Sequence, residues 1–318
     1  MQHTAEHSTA RSAVDAVKKS VSTVIVGKQK IVEQILVALI ARGHVLIEDV
    51  PGVGKTSLVR CVASASGLSF ARLQFTPDLM PSDVTGISIY DPSSQTFRFR
   101  KGPVFTQVLL ADEINRTSPK TQSSLLEAME ERQVSVDGTT YALPMPFFVL
   151  ATQNPVEYEG TFPLPEAQLD RFLFKLSIGY PSTQEESMIL ERHVSNIRVP
   201  DLAPVAGAED LLRAQEECLS VTCSPKVNEY IVKLCRETRQ HADVYLGAGP
   251  RGSLALARSA RALAYLRGRS YVLPDDVKEL LLPALGHRLL IRAEARLGGV
   301  TPSSVLQDIL YQVPVPVA

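Results

Sequence analysis

The chain has 318 residues, 45% of them hydrophobic and 21% charged, with a formal net charge of −1. That balance excludes disordered and fibrous classes and lacks the basic excess of a nonspecific nucleic-acid or anionic-membrane binder. At this length a main domain and a smaller second one are expected.

Four cysteines (Cys61, Cys218, Cys223, Cys235) show no CxxC spacing and no neighbouring His pair, so buried thiols are expected rather than a metal site or disulfide framework. The N-terminal MQHTAEHSTARSAVDAVKKS lacks an apolar core of signal-peptide length, and no later stretch is long and apolar enough to span a membrane. A cytoplasmic location with no membrane span is the expectation.

Along the chain, Val14, Val17, Val21 and Val24 recur at helical spacing, and a second helix follows Gly27. The run His44–Glu48 is a short buried strand, followed by a Gly/Pro-rich turn and then the helical TSLVRCVASAS. Further strands are predicted at Phe70–Phe75, Val108–Ala111, Phe147–Thr152 and Phe172–Leu176. Separated by helices and loops, they predict a mostly parallel sheet covered on both faces. GISIYDPSSQTFRFRKG and RQVSVDGTTYALP alternate around turn residues and predict two β-hairpin insertions. After Pro181 the pattern is helical, at Gln184–His193, Ala208–Cys218, Pro225–Gln240, Arg251–Arg267 and Pro274–Leu285. The expected division is an α/β core over 1–180 and a small all-helical domain over 181–318.

The segment from Glu48 to Ser57 carries the decisive part of a P-loop, Gly52-Val53-Gly54-Lys55-Thr56, between a strand and a helix. In that context the loop from Asp49 through Val50, Pro51, Gly52, Val53 and Gly54 to Lys55, Thr56 and Ser57 is a candidate phosphate cradle. Its amides and helix dipole face the anion, Lys55 reaches the β/γ oxygens, and the Thr56 hydroxyl is placed for Mg²⁺. The eight-residue pattern asks for glycine where Asp49 stands. Asp tolerates unusual dihedrals better than most residues.

Val108–Arg116 ends a buried strand in Asp112 and Glu113, at the edge where open α/β sheets bind ligands. Asp112 is the candidate Mg²⁺ residue and Glu113 the candidate base for an attacking water. The strand Phe147–Thr152 leads to Gln153 and Asn154, polar amides able to orient that water. Arg171 precedes the last core strand, so its natural target is a neighbouring molecule's nucleotide. Arg251 opens a helix carrying Arg258, Arg261, Arg267 and Arg269 with no acid among them. A cation in a first helical turn calls for an anionic ligand or neighbour.

Taken together, EDVPGVGKT, LLADEINRTSPKTQSSLLEAMEERQVSVDG, LATQNPVEYEGTFPLPEAQLDRF and GPRGSLALARSARALA resemble the MoxR family of AAA+ ATPases over about Val26 to Pro314. The resemblance implies ATP and Mg²⁺ as cofactors, Lys55 and Thr56 as Walker A, and Asp112 and Glu113 as Walker B. It further implies Asn154 as sensor 1, Arg171 as the arginine finger and Arg251 as sensor 2. It also implies a hexameric homo-oligomeric ring with chaperone-like action on protein complexes, often alongside von Willebrand factor A domain proteins; the accompanying expectation is a helical lid that moves with each cycle. The competing expectations are a nucleic-acid-associated AAA+ motor or transcriptional regulator, against which the near-neutral charge stands, and a scaffold that binds ATP without turnover.

Overall fold

The structure is a computed structural model that describes residues 3–50, 52–154, 160–194 and 202–316. Helices α1 (His3–Val24) and α2 (Gln29–Ile40) precede strand β1 (Val45–Glu48) and helix α3 (Lys55–Ala65). Next come β2 (Phe70–Gln74), the short helix α4 (Pro81–Thr85), β3 (Gly86–Asp91), β4 (Thr96–Lys101), β5 (Val108–Asp112) and α5 (Pro119–Glu131). The core closes with β6 (Gln133–Val136), β7 (Thr139–Ala142), β8 (Phe148–Gln153), α6 (Glu166–Leu169) and β9 (Phe174–Leu176). The remainder comprises α7 (Thr183–Val194), α8 (Ala208–Leu219), α9 (Pro225–Gln240), β10 (Val244–Leu246), α10 (Pro250–Leu266), α11 (Pro274–Leu285), β11 (Leu290–Ile291), α12 (Ala293–Leu297) and α13 (Pro302–Gln312).

Five strands form one parallel sheet in the order β2-β5-β8-β1-β9. Their apolar runs alternate between two separate cores. Val45, Ile47, Val108, Leu110, Phe148 and Leu150 face one side, while Leu46, Leu109, Ala111, Val149 and Ala151 face the other. A strand whose neighbours on both faces are apolar has no polar side to show, which is why these segments read as continuous hydrophobic stretches. The first core also takes in α1, α2, α3 and the later helices α8 to α11. The second lies under α5 and the hairpin regions.

Both predicted hairpins form, β3 with β4 and β6 with β7, each outside the main sheet. They touch through Phe99 and Tyr141, whose rings stack with centroids 4.2 Å apart. Tyr90 and Phe97 are exposed on the first hairpin.

The C-terminal part departs from the all-helical expectation, because β10 and β11 pair antiparallel. Strands of three and two residues are too short to show a period of two. This part also docks at the N-terminal edge of the sheet, opposite the P-loop. Arg258 Nη2 donates to the carbonyls of Ala41 (2.5 Å) and Arg42 (3.2 Å) at the end of α2. Arg288 Nη2 donates to the carbonyls of Asp170 (2.9 Å) and Phe172 (2.8 Å), just before β9. The helical part therefore does not cover its own cradle. Two of the arginines expected to meet an outside anion, just past the end of α10, are neutralised from within: Arg267 pairs with Glu33 and Glu279, and Arg269 with the buried Asp276.

Candidate active site

Parallel register aligns the strand tips that build the site. Glu48 of β1 lies beside Gln153 of β8, and Asp112 of β5 lies beside Gln74 of β2. One cavity of about 370 Å³ at this edge is lined by Gly52, Gly54, Lys55, Thr56, Ser57, Arg72, Asp112, Glu113, Thr152 and Asn154. The cradle and both acids, far apart in sequence, thus face a single space.

Gly52 and Gly54 both take φ of +84°, a left-handed conformation that side chains rarely adopt, and no atom would crowd a Cβ at either. The open space ahead of them suits a phosphate chain. Helix α3 begins directly after Gly54 with no side-chain cap and no acid in its first turn, so its N-terminal amides are left to an anion. Lys55 Nζ donates to the Asp49 carbonyl at 2.6 Å. Burial pulls the Lys55 pKa below its ordinary value, against the opposing pull of Asp49, Asp112 and Glu113. The residues present therefore fit a triphosphate with a divalent cation.

Asp49 does not serve the cradle with its side chain, nor does it need glycine's freedom, since it is absent from the positive-φ residues. It is 7% exposed and its carboxylate turns away, accepting from the backbone N–H groups of Ile178 and Gly179 and from the Ser177 hydroxyl. Among the expected cradle residues, Val50 does not line the cavity, Val53 packs against the first core, and Pro51 lies outside the described residues.

The two acids are held differently. Asp112 Oδ1 accepts from the Thr152 hydroxyl at 2.6 Å, and Oδ2 pairs with Arg72 Nη2 at 2.6 Å. Glu113 sits in a left-handed conformation (φ 56°, ψ 49°), a strained state for a residue with a side chain and one that concentrates at functional sites. Its N–H donates to Thr152 Oγ1 at 2.9 Å, while Oε2 accepts from Gln74 Nε2 at 2.6 Å and pairs with Arg116 at 3.1 Å. Asn154 is buried against the cavity, whereas the Gln153 amide turns aside to Glu48. Thr152, Arg72 and Gln74 escaped the sequence reading. The one available signal was the pair of polar residues two apart in β2, which places Arg72 and Gln74 on one face beside the acidic strand.

Arg171 and Arg251 do not reach this cavity. They meet in a second one, of about 310 Å³, at the sheet's N-terminal edge beside Arg42, Arg132, Arg258 and Arg288. Both pair with Glu130 there, Arg171 Nε at 3.2 Å and Arg251 Nη2 at 2.8 Å.

Comparison with known proteins shows which family this fold belongs to. Residues 44–174 match the ATPase family associated with various cellular activities (AAA), and 236–309 match the AAA lid domain. The chain is 43% identical to Chaperone MoxR1 of Mycobacterium tuberculosis, covering 98% of this chain and 84% of that protein. The chain belongs to the MoxR family of AAA+ ATPases. Protein MoxR of Paracoccus denitrificans is 31% identical over 93% of this chain and 94% of its own. YeaC of Bacillus subtilis is 53% identical over 93% of each. A crystal structure from Cytophaga hutchinsonii, assigned as an ATPase, superposes with a TM-score of 0.92 at 38% identity, covering 99% of this chain and 98% of that one. This MoxR-family protein is accordingly an ATP-hydrolysing enzyme with an AAA+ core and a helical lid. Among the described residues no helix is long and apolar enough to cross a membrane.

Proposed function

We propose that this MoxR-family ATPase acts as a homo-oligomeric ring that remodels client protein complexes, with each catalytic site assembled from two copies. The observation that carries the reading is the separation of the two cavities. The P-loop, Asp112 and Glu113 share one, while Arg171 and Arg251 share the other, so one chain holds two halves of a site that face different neighbours. An interface that joins unlike surfaces repeats head to tail, and closes as a ring when the rotation between copies divides the full turn.

Within each site the α3 amides and Lys55 would hold the phosphates, and Thr56 and Asp112 would hold Mg²⁺, whose chemistry there would be neutralisation of phosphate charge. Glu113 takes the proton of the attacking water, with Gln74 and Thr152 fixing its carboxylate and backbone. Asn154 orients that water or a γ oxygen. Arg171 and Arg251 of the adjacent copy stabilise the charge on the transferred phosphoryl group. The exposed Tyr90 and Phe97 of the first hairpin are offered to the client, and a von Willebrand factor A domain protein fits the family's habit. The cytoplasm is the proposed location.

Mixing two inactive variants tests the reading. Glu113→Gln lacks the base and Arg171→Ala lacks the finger. A cradle from the second beside a finger from the first is a complete site, so an equal mixture recovers about a quarter of the parental turnover if subunits exchange at random. A mixture as inactive as its components refutes assembly of the site from two copies.

A further inference from the structure

Helix α5 ends in Glu130 and Glu131 with no basic residue in its last turn. The carbonyl end of a helix disfavours negative charge, so these acids need another reason to be there. Glu130 has one in its partners. Its two oxygens serve two guanidinium groups from distant parts of the chain, Oε2 lying 3.2 Å from Arg171 Nε and Oε1 lying 2.8 Å from Arg251 Nη2. Glu130 is 40% exposed and Arg251 54%, and ion pairs so open to water add little to folding.

The backbone around this carboxylate is pinned on both sides. Met129 O meets His44 Nε2 at 3.2 Å, and Arg132, in a left-handed conformation (φ 54°), ends the helix with its N–H on Ala128 O at 3.0 Å. The contact to Arg171 uses the inner nitrogen, and among the described residues no partner lies on Nη1 or Nη2. A guanidinium whose acidic neighbour lies beside Nε keeps its two outer amino groups as a fork, the geometry that suits a phosphoryl group.

We infer that Glu130 is a positioning residue that holds Arg171 and Arg251 as one preset pair for the phosphoryl group of a neighbouring copy's ATP. The inference rests on the two-copy site proposed above. Glu130 touches no nucleotide; it removes the freedom of two long side chains before the reaction, which favours the transition state over substrate binding.

The test measures phosphate release against ATP concentration for the full chain and for Glu130→Gln, Glu130→Asp and Arg171→Ala, with fluorescent-nucleotide binding and thermal unfolding alongside. Glu130→Gln is expected to lower kcat by about tenfold and leave KM, nucleotide affinity and Tm near the parental values, with Glu130→Asp recovering most of the loss. A Glu130→Gln kcat within about twofold of the parent, or above it, overturns the inference. So does an equal loss in Glu130→Asp and Glu130→Gln accompanied by a lowered Tm, since that is a structural defect. The control separates the two levels of argument. If Arg171→Ala keeps parental turnover, the two-copy site itself fails; if it loses turnover while Glu130→Gln does not, only the role of Glu130 fails.

Discussion

Thr152 donates its hydroxyl to Asp112 Oδ1 at 2.6 Å, and Thr152 Oγ1 in turn accepts the Glu113 N–H, so one buried side chain fixes both acids. Thr152→Val keeps the shape and removes the hydroxyl. Unpairing the Glu113 N–H and one lone pair of Asp112 is expected to cost about 1–3 kcal/mol in unfolding free energy by urea titration. It should also lower kcat by about tenfold or more, with the loss read from phosphate release.

Asp49 supplies a counter-intuitive case. Asp49→Gly restores the eight-residue P-loop pattern, yet the structure has the Asp49 carboxylate tying the loop to Ile178 and Gly179 after β9. The glycine variant is expected to lose about 2–3 kcal/mol of stability, because it leaves backbone donors unpaired and frees the loop in the unfolded chain. A variant as stable as the parent in chemical denaturation would show that the carboxylate is dispensable.

Arg72 occupies the Asp112 oxygen opposite Thr152. A divalent cation at Asp112 has to compete with that guanidinium. Arg72→Gln is therefore expected to lower the Mg²⁺ concentration for half-maximal turnover by roughly threefold, a modest shift since the arginine is about half exposed. Magnesium titration of the ATPase rate reads the effect directly.

His44 predicts a pH dependence of stability. Its Nδ1 accepts from Val149 N–H at 3.0 Å and its Nε2 faces Met129 O at 3.2 Å, an arrangement satisfied by the neutral ring with hydrogen on Nε2. Burial lowers its pKa to about 4. The unfolded chain therefore binds a proton near its ordinary 6.5 while the folded chain does not. The stability from this group is complete above that value and declines as pH falls toward 4, by about 1.4 kcal/mol per unit. His44→Gln, which keeps one acceptor and one donor, should flatten the profile by one proton in urea titrations across that range.

Much of the site was written locally. The glycines before Lys55, the acids ending an apolar strand and the Asp137-Gly138 turn each act within a few residues, so their meaning survives without the fold. What escaped depended on distant partners. Glu130 sits in an unremarkable EAMEER stretch and acquires a role only when Arg171 and Arg251 arrive beside it. Arg267 and Arg269, just past α10, read as part of a ligand-seeking face because Glu33 and Asp276 lie elsewhere in the chain. Asp49 invited a backbone explanation because its real partners, past residue 176, are invisible to a loop pattern.

The apolar body behind the P-loop helix is shared: Val14 and Val17 of α1 belong to the same cluster as Leu211 and Ala214 of α8 and Leu256 and Ala260 of α10. Swinging the C-terminal part away like a flap would wet these side chains at about 1.5–3 kcal/mol for each large one, a penalty comparable to the whole stability of a domain. Each molecule is consequently stiff along its own length, and in the proposed ring the give belongs to the contacts between copies.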